Sequence, residues 1–390
     1  MDQELNRGLA STQLSRKDLL VRGATAAALV GATGLLAACG ASTSGGTSAA
    51  ASSSAGGSLG NVDFLSWAGY DLQPPMEAWR KANGVQLNTT YINTQEDVLT
   101  KLRSGGTADV STYFTTFYGQ MRDLNLLTEL DPKRLPNFTP ELIAPGLYDQ
   151  PYWSEDGKLW GVPMEMQSLP CNYRTDKMSA PASWADLLDP KYKGRIVLID
   201  DWTQAIPIAA KVVGLADKIP NLTQSELAQC VDFLKQIRAQ ARTISSYGDA
   251  ENQLASGDVW VTFVGYALIT ADLRKKGIDV SHVWPKEGGM AGSDIFFIPT
   301  NAKNPDAAYA WINEAINYTP QKYMGDNLIA GPVNKEALWA LKDVAAESFP
   351  HDDMAAFLAL NPYYGGAPLK SDEFTTQSDW VKAWEEIKAS

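Results

Sequence analysis

Acidic and aromatic side chains stand at the ends of predicted strands, and their types bound the chemistry open to this chain. Asp200-Asp201 follows the apolar run Arg195–Ile199, and Gln204 comes three residues after Asp201. Asp294 lies between Gly292-Ser293 and the run Ile295–Ile298. Trp67 and Tyr70 follow Val62–Ser66, and Glu165 sits within Pro163-Met164-Glu165-Met166. A carboxylate pairs a cationic group through charge-assisted hydrogen bonds. An aromatic face covers a methylene chain and attracts a cation. Each residue also has an ordinary use: Asp201 as a turn or helix cap, Trp67 as packing, Glu165 as a surface acid. The two histidines, His282 and His351, are a poor basis for a Ser-His-Asp, Cys-His or His-rich metal site. Gly-x-Ser-x-Gly occurs only as Gly56-Gly57-Ser58-Leu59-Gly60, in a Gly/Ser stretch ahead of the first predicted strand rather than at a strand-to-helix turn, and no phosphate loop, dinucleotide fingerprint or Cys-x-x-Cys pair occurs. The residues call for no cofactor and no metal. A two-acid glycosidase stays open on residue counts, because any strand end could supply its acids.

The elements that must hold these residues alternate between strand and helix. Val62–Ser66, Val85–Ile92 and Ala108–Ser111 read as strands. Pro74-Pro75 opens a helix that Asn83-Gly84 stops, and Asn93 or Thr94 caps a second helix ending at Gly105-Gly106. Further on, strands are predicted at Arg195–Ile199, Val259–Val264, Val280–Val283 and Ile295–Ile298. Helices are predicted at Thr203–Val213 and Ala267–Lys276, after the capping box Thr223-Gln224-Ser225-Glu226, and after Asn304-Pro305. The tail, with Trp380, Val381, Trp384 and Ile387, reads as an amphipathic helix. Strands separated by helices predict parallel pairing in an α/β sheet.

The first 60 residues read as something other than a folded core. A basic patch, Arg16, Lys17 and Arg22, precedes the apolar stretch Ala24–Leu36 and the run Leu36-Ala37-Ala38-Cys39. That order is an export signal. Ending it on Cys39 resembles a bacterial lipobox, so residues 1–38 are expected to be removed and Cys39 to carry lipid. Residues 39–60 are then a tether of Gly, Ser, Ala and Thr that cannot bury a core. Ser15-Arg16-Lys17-Asp18-Leu19-Leu20 resembles a twin-arginine signal with Lys at its second place, which leaves the export route open. The net charge is −12; four basic and three acidic side chains in residues 1–38 leave −13 for the rest. An acidic chain lacks the basic footprint that nucleic acid requires and is compatible with a cationic ligand. Cys171 and Cys230 could pair outside the cytoplasm, but Cys230 shares a helix face with Leu227, Val231 and Leu234 and reads as a buried thiol.

Two longer stretches carry a resemblance. Residues 183–195, Ser-Trp-Ala-Asp-Leu-Leu-Asp-Pro-Lys-Tyr-Lys-Gly-Arg, and 283–289, Val-Trp-Pro-Lys-Glu-Gly-Gly, are similar to motifs of the ABC-transporter binding proteins for spermidine and putrescine. Asp294 and Ile298-Pro299-Thr300-Asn301-Ala302-Lys303-Asn304 extend the likeness, which runs from about residue 61 to the end. The resemblance implies an α/β, two-lobed periplasmic-binding-protein-like fold of type II. One lobe would hold 61–165 plus 293–335 and the other 166–292 plus 336–390, joined by crossovers near Met164 and Gly292. It implies a non-enzymatic, lipid-anchored extracytoplasmic monomer that binds a small polyamine-like cation in the cleft and delivers it to a membrane permease. It places Trp67 and Tyr70 on an aromatic wall, and Asp201 and Asp294 against ammonium groups. Where the family has a second acid, this chain has Gln204. Where it has Ser and Tyr, this chain has Phe114 and Thr116. A family Trp aligns with Gly265, next to Tyr266, and another with Gly292. Glu165 could supply a replacement charge. The same transport role for an amino-acid derivative or opine is the alternative, and a lipid-anchored hydrolase a more distant one.

Overall fold

A computed structural model of the chain describes residues 58–390. The expected export signal, Cys39 and the expected tether as far as residue 57 lie outside the described residues. The strands, in chain order, are β1 (Gly60–Ser66), β2 (Val85–Tyr91), β3 (Val110–Phe114), β4 (Ser154–Glu155), β5 (Lys158–Leu159), β6 (Val162–Pro163), β7 (Glu165–Ser168) and β8 (Cys171–Arg174). They continue as β9 (Ile196–Ile199), β10 (Ala241–Ser245), β11 (Val261–Phe263), β12 (Val280–Val283), β13 (Ala291–Gly292), β14 (Asp294–Phe297) and β15 (Gly331–Pro332).

Two five-stranded sheets organise the molecule, in the orders β2-β1-β3-β14-β6 and β10-β9-β11-β8-β12. In the first, β1 pairs β2 and β3 in parallel. In the second, β9 pairs β10 and β11 in parallel. β9 reads Ile-Val-Leu-Ile and is buried throughout, as a strand covered by helices on both faces must be. The parallel pairing expected from strand–helix alternation is incomplete. β14 runs antiparallel to β3 and β6, and β8 antiparallel to β11 and β12. These strands enter from the other sheet rather than from a covering helix, so nothing forces them into the parallel sense.

The connection between the sheets is itself a small sheet. The chain leaves the first sheet through β6, runs along β7 and enters the second as β8; it returns along β13 into β14. β7 pairs antiparallel with β13 (Ser168 opposite Ala291, Gln167 opposite Gly292) and with β15 (Met166 opposite Gly331). The result is the two-lobed fold expected from the resemblance. Each lobe has its own core. Phe64, Phe296 and Trp311 centre the first, and Trp184, Phe263, Trp380 and Trp384 belong to the second.

Local signals place the helices that approach the cleft. Thr94 and Asp97 form a capping box for Gln95–Arg103, Asp201 caps Trp202–Val212, and Thr223 with Glu226 caps Gln224–Gln240. The tail helix Gln377–Ala389 buries Trp380, Trp384 and Ile387. Cys171 and Cys230 are free buried thiols in the second core. Burial pushes both thiols up, Cys230 to about 12, which keeps them protonated and unreactive. Among the described residues no helix is long and apolar enough to cross a membrane.

Candidate functional site

A cavity of about 340 Å³ opens where side chains of both lobes face each other. Parallel strands end there: Trp67 and Tyr70 follow β1, Phe114 ends β3, Asp201 follows β9, Tyr247 follows β10 and Tyr266 follows β11. The carboxyl ends of parallel strands, with helix N-termini behind them, are where open α/β sheets take ligands.

The first lobe presents Asp294, only 4% exposed. Its Oδ2 accepts hydrogen bonds from the Tyr70 hydroxyl at 2.8 Å and from Gln167 Nε2 at 3.1 Å. Its backbone N–H donates to Glu165 Oε1 at 2.9 Å, and Gln167 Nε2 reaches the same oxygen at 3.2 Å. Glu165 is therefore turned towards the backbone that carries Asp294, fully buried, and does not line the cavity. The replacement charge expected of Glu165 becomes a positioning role: it fixes the start of β14. Thr116 also stays outside the cavity lining, because the chain turns into a short 3-10 helix, Thr115–Phe117, directly after β3. Phe117 lines the cavity in its place.

The second lobe presents Asp201. Its Oδ1 accepts from the Thr203 N–H at 3.0 Å and the Thr203 hydroxyl at 2.6 Å, and its Oδ2 from the Tyr247 hydroxyl at 3.2 Å. Burial raises the carboxyl above its ordinary range and neighbouring Asp200 pushes the same way, against the Thr203 and Tyr247 hydrogen bonds. The Asp200-Asp201 pair divides its work as neighbours on an extended chain do. Asp200 faces the tail helix, accepting from Trp384 Nε1 at 2.7 Å, while Asp201 faces the cleft. Gln204 also lines the cavity, 3% exposed, and its Oε1 has no hydrogen-bond partner. Gln95, opposite, uses its Nε2 on Thr112 O and likewise leaves Oε1 unpartnered.

The aromatic wall is rebuilt by exchange of volume. A Cβ on Gly292 would stand 2.1 Å from the Phe114 ring, so Phe114 fills the space that a side chain at 292 would occupy. Gly265 is required as well, since its Cβ would fall 2.0 Å from Asn172 Oδ1. That oxygen accepts the Tyr266 N–H at 2.9 Å, while Asn172 Nδ2 donates to Tyr266 O at 3.1 Å, so one buried amide fixes Tyr266 at both backbone groups. Val264, just before, holds φ +61°, a costly conformation for a β-branched residue. The Tyr247 and Tyr266 rings meet edge to face, 6.1 Å apart. The sequence expectations did not include Gln95, Gln167, Tyr247 or Glu251, all of which line the cavity.

Chemically, the cavity offers three carboxylates, Asp201, Glu251 and Asp294, and rings on both walls. No Lys or Arg is among its lining residues. Among the described residues no cluster of His, Cys, Asp and Glu is arranged to hold a metal ion.

Known proteins share this plan. The Escherichia coli spermidine/putrescine-binding periplasmic protein is 26% identical over 258 residues, 64% of this chain and 71% of the relative. The putrescine-binding periplasmic protein of the same organism is 27% identical over 353 residues, 84% of this chain and 91% of the relative. Among solved structures, the spermidine/putrescine ABC transporter substrate-binding protein of Streptococcus pneumoniae aligns with a TM-score of 0.69 at 20% identity, covering 84% of this chain and 97% of that one. A glucopine-bound binding protein of Agrobacterium tumefaciens B6 aligns at 0.61 and 16% identity, covering 84% and 99%. The fold thus serves different solutes, and the site has to choose among them. The model of the bacterial extracellular solute-binding proteins matches residues 76–348, more than half of the chain. The chain belongs to that family.

Proposed function

We propose that this chain is the extracytoplasmic binding component of an ABC importer for a polyamine-like cation, putrescine or spermidine, and that it performs no chemistry on its solute. The observation that carries this reading is the imbalance of the cavity: three carboxylates, with no cationic side chain in the lining. Such a lining needs a ligand rich in N–H donors and positive charge. An amino-acid derivative or opine would bring a carboxylate of its own against Asp201, Glu251 and Asp294. The named roles are Asp294 and Asp201 for the ammonium ends, with Trp67, Tyr70, Phe114 and Tyr266 along the methylene chain. Lobe closure would present the loaded protein to the permease.

A thermal-shift screen tests the solute class. A ligand that binds the folded state alone stabilises it by RT ln(1 + [L]/Kd), about 2.7 kcal/mol at a hundred times Kd. Putrescine or spermidine should raise the melting temperature, and γ-aminobutyrate and opines should not; the reverse pattern would replace the cationic solute with a zwitterionic one. The proposed lipid anchor on Cys39 has a separate test. Cys39→Ser should release the protein from membranes, because acyl chains supply the affinity; firm membrane retention with no acyl mass on Cys39 would refute it.

A further inference from the structure

We propose that Glu251 is a specificity-determining residue of the cleft, and that its ion pair with Lys276 sets the choice between a diamine and a triamine. The proposal rests on the cationic-solute reading above. Glu251 lies one turn after Tyr247 on the helix Tyr247–Ser256, so the two share a face. Tyr247 bonds Asp201, and Glu251 continues the same wall of the cavity. Glu251 is 7% exposed, yet its charge is matched from outside: Lys276, at the end of the helix Ala267–Lys275, donates to Glu251 Oε1. The Lys276 side chain is 55% exposed and is not among the lining residues.

This arrangement makes Lys276 a competitor. A buried carboxylate without a counter-ion is costly, so the lysine satisfies Glu251 when the cleft holds no cation. A ligand ammonium in the cavity approaches the same carboxylate from the other side. Lys276 can then withdraw its charge into water at little cost, because half of its side chain is already there. At position 204, where the family resemblance places an acid, Gln204 lines the cavity and brings no charge. With Lys276 on Glu251 the cleft faces the ligand with the charges of Asp201 and Asp294, a match for a diamine. With Lys276 displaced, Glu251 adds a third, a match for a triamine.

The test is the ratio of spermidine to putrescine affinity, measured by calorimetry on wild type, Lys276→Met, Glu251→Gln and the double variant. Lys276→Met should raise the ratio by up to roughly fivefold, the scale of one partly exposed ion pair. Glu251→Gln should lower it, and the double variant should match Glu251→Gln, since Lys276 acts only through Glu251. Thermal unfolding of each variant confirms that it is folded. Ratios within twofold of wild type in both single variants, or a Lys276→Met effect that survives in the double variant, would overturn the proposal while leaving the amine ligand standing. A wild-type protein that binds neither amine would instead bring down the cationic-solute reading, and this proposal with it.

Discussion

Asp201 is an acid held ready by its surroundings. Its carboxyl lies above the ordinary range because burial disfavours the charge, and a ligand cation reverses that preference. Cation binding favours the ionised carboxylate, so wherever Asp201 holds its proton the ligand expels it. Affinity should therefore rise with pH through the acid range. Calorimetry across the acid range in buffers of different ionisation enthalpy should reveal proton release that Asp201→Asn abolishes; equal release by the variant would remove Asp201 from the account. Phe114 and Gly292 make a second test. Gly292→Trp alone should cost about 1–3 kcal/mol by overpacking against Phe114, and adding Phe114→Ser should recover most of it in denaturant melts. Trp67, Tyr70, Asp201 and Asp294, each beside an apolar run, were singled out in the sequence by the resemblance, and all four line the cavity. Tyr247 and Glu251 were not. They follow β10, the segment Ala241–Ser245, whose Ala-Arg-Thr-Ile-Ser sequence has neither a buried run nor a clean alternation.

At the level of elements, the contact of β12 with the helix Asp343–Ser348 sets a pH response. Burial pushes the His282 imidazole down to about 4, and nearby Arg274 adds to this against the pull of Glu347. Its Nε2 lies 3.3 Å from Ser348 Oγ and its ring 5.4 Å from that of Trp284. Above the ordinary His range neither folded nor unfolded protein is protonated there. Between about pH 6.5 and 4 the unfolded chain takes up a proton that the folded one refuses, so stability falls as pH falls, by a few kcal/mol at most. Urea melts across that window should show the loss, and His282→Gln should flatten it; an unchanged slope would remove His282 as the cause. Helix boundaries were legible wherever a cap announced them, at Thr94, Thr223 and Asn304. The connector strands β13 and β15, two residues each, are too short for any periodicity to mark, and β7 takes its pairing from partners distant in sequence.

For the whole molecule, ligand and motion belong to one account. The two crossovers lie side by side as β7 and β13, and Lys211 reinforces that region by donating to the carbonyls of Gly289 at 2.6 Å and Leu360 at 2.9 Å. A hinge of this kind lets each lobe keep its own core while the cleft shuts. Small-angle scattering should show a smaller radius of gyration with bound amine, and no change at saturation would argue against closure. The lobed architecture was legible only through the resemblance, because strand–helix alternation does not reveal that a chain crosses between sheets and returns. The central claim is that two carboxylates, one from each lobe, bind the ends of a cationic amine. Calorimetry of putrescine and spermidine with wild type, Asp201→Asn and Asp294→Asn tests it most directly. Removing one partner of a buried charge pair costs about 2–5 kcal/mol, so each variant should lose roughly 30-fold or more in affinity. Tight amine binding that both variants keep to within twofold would contradict the claim.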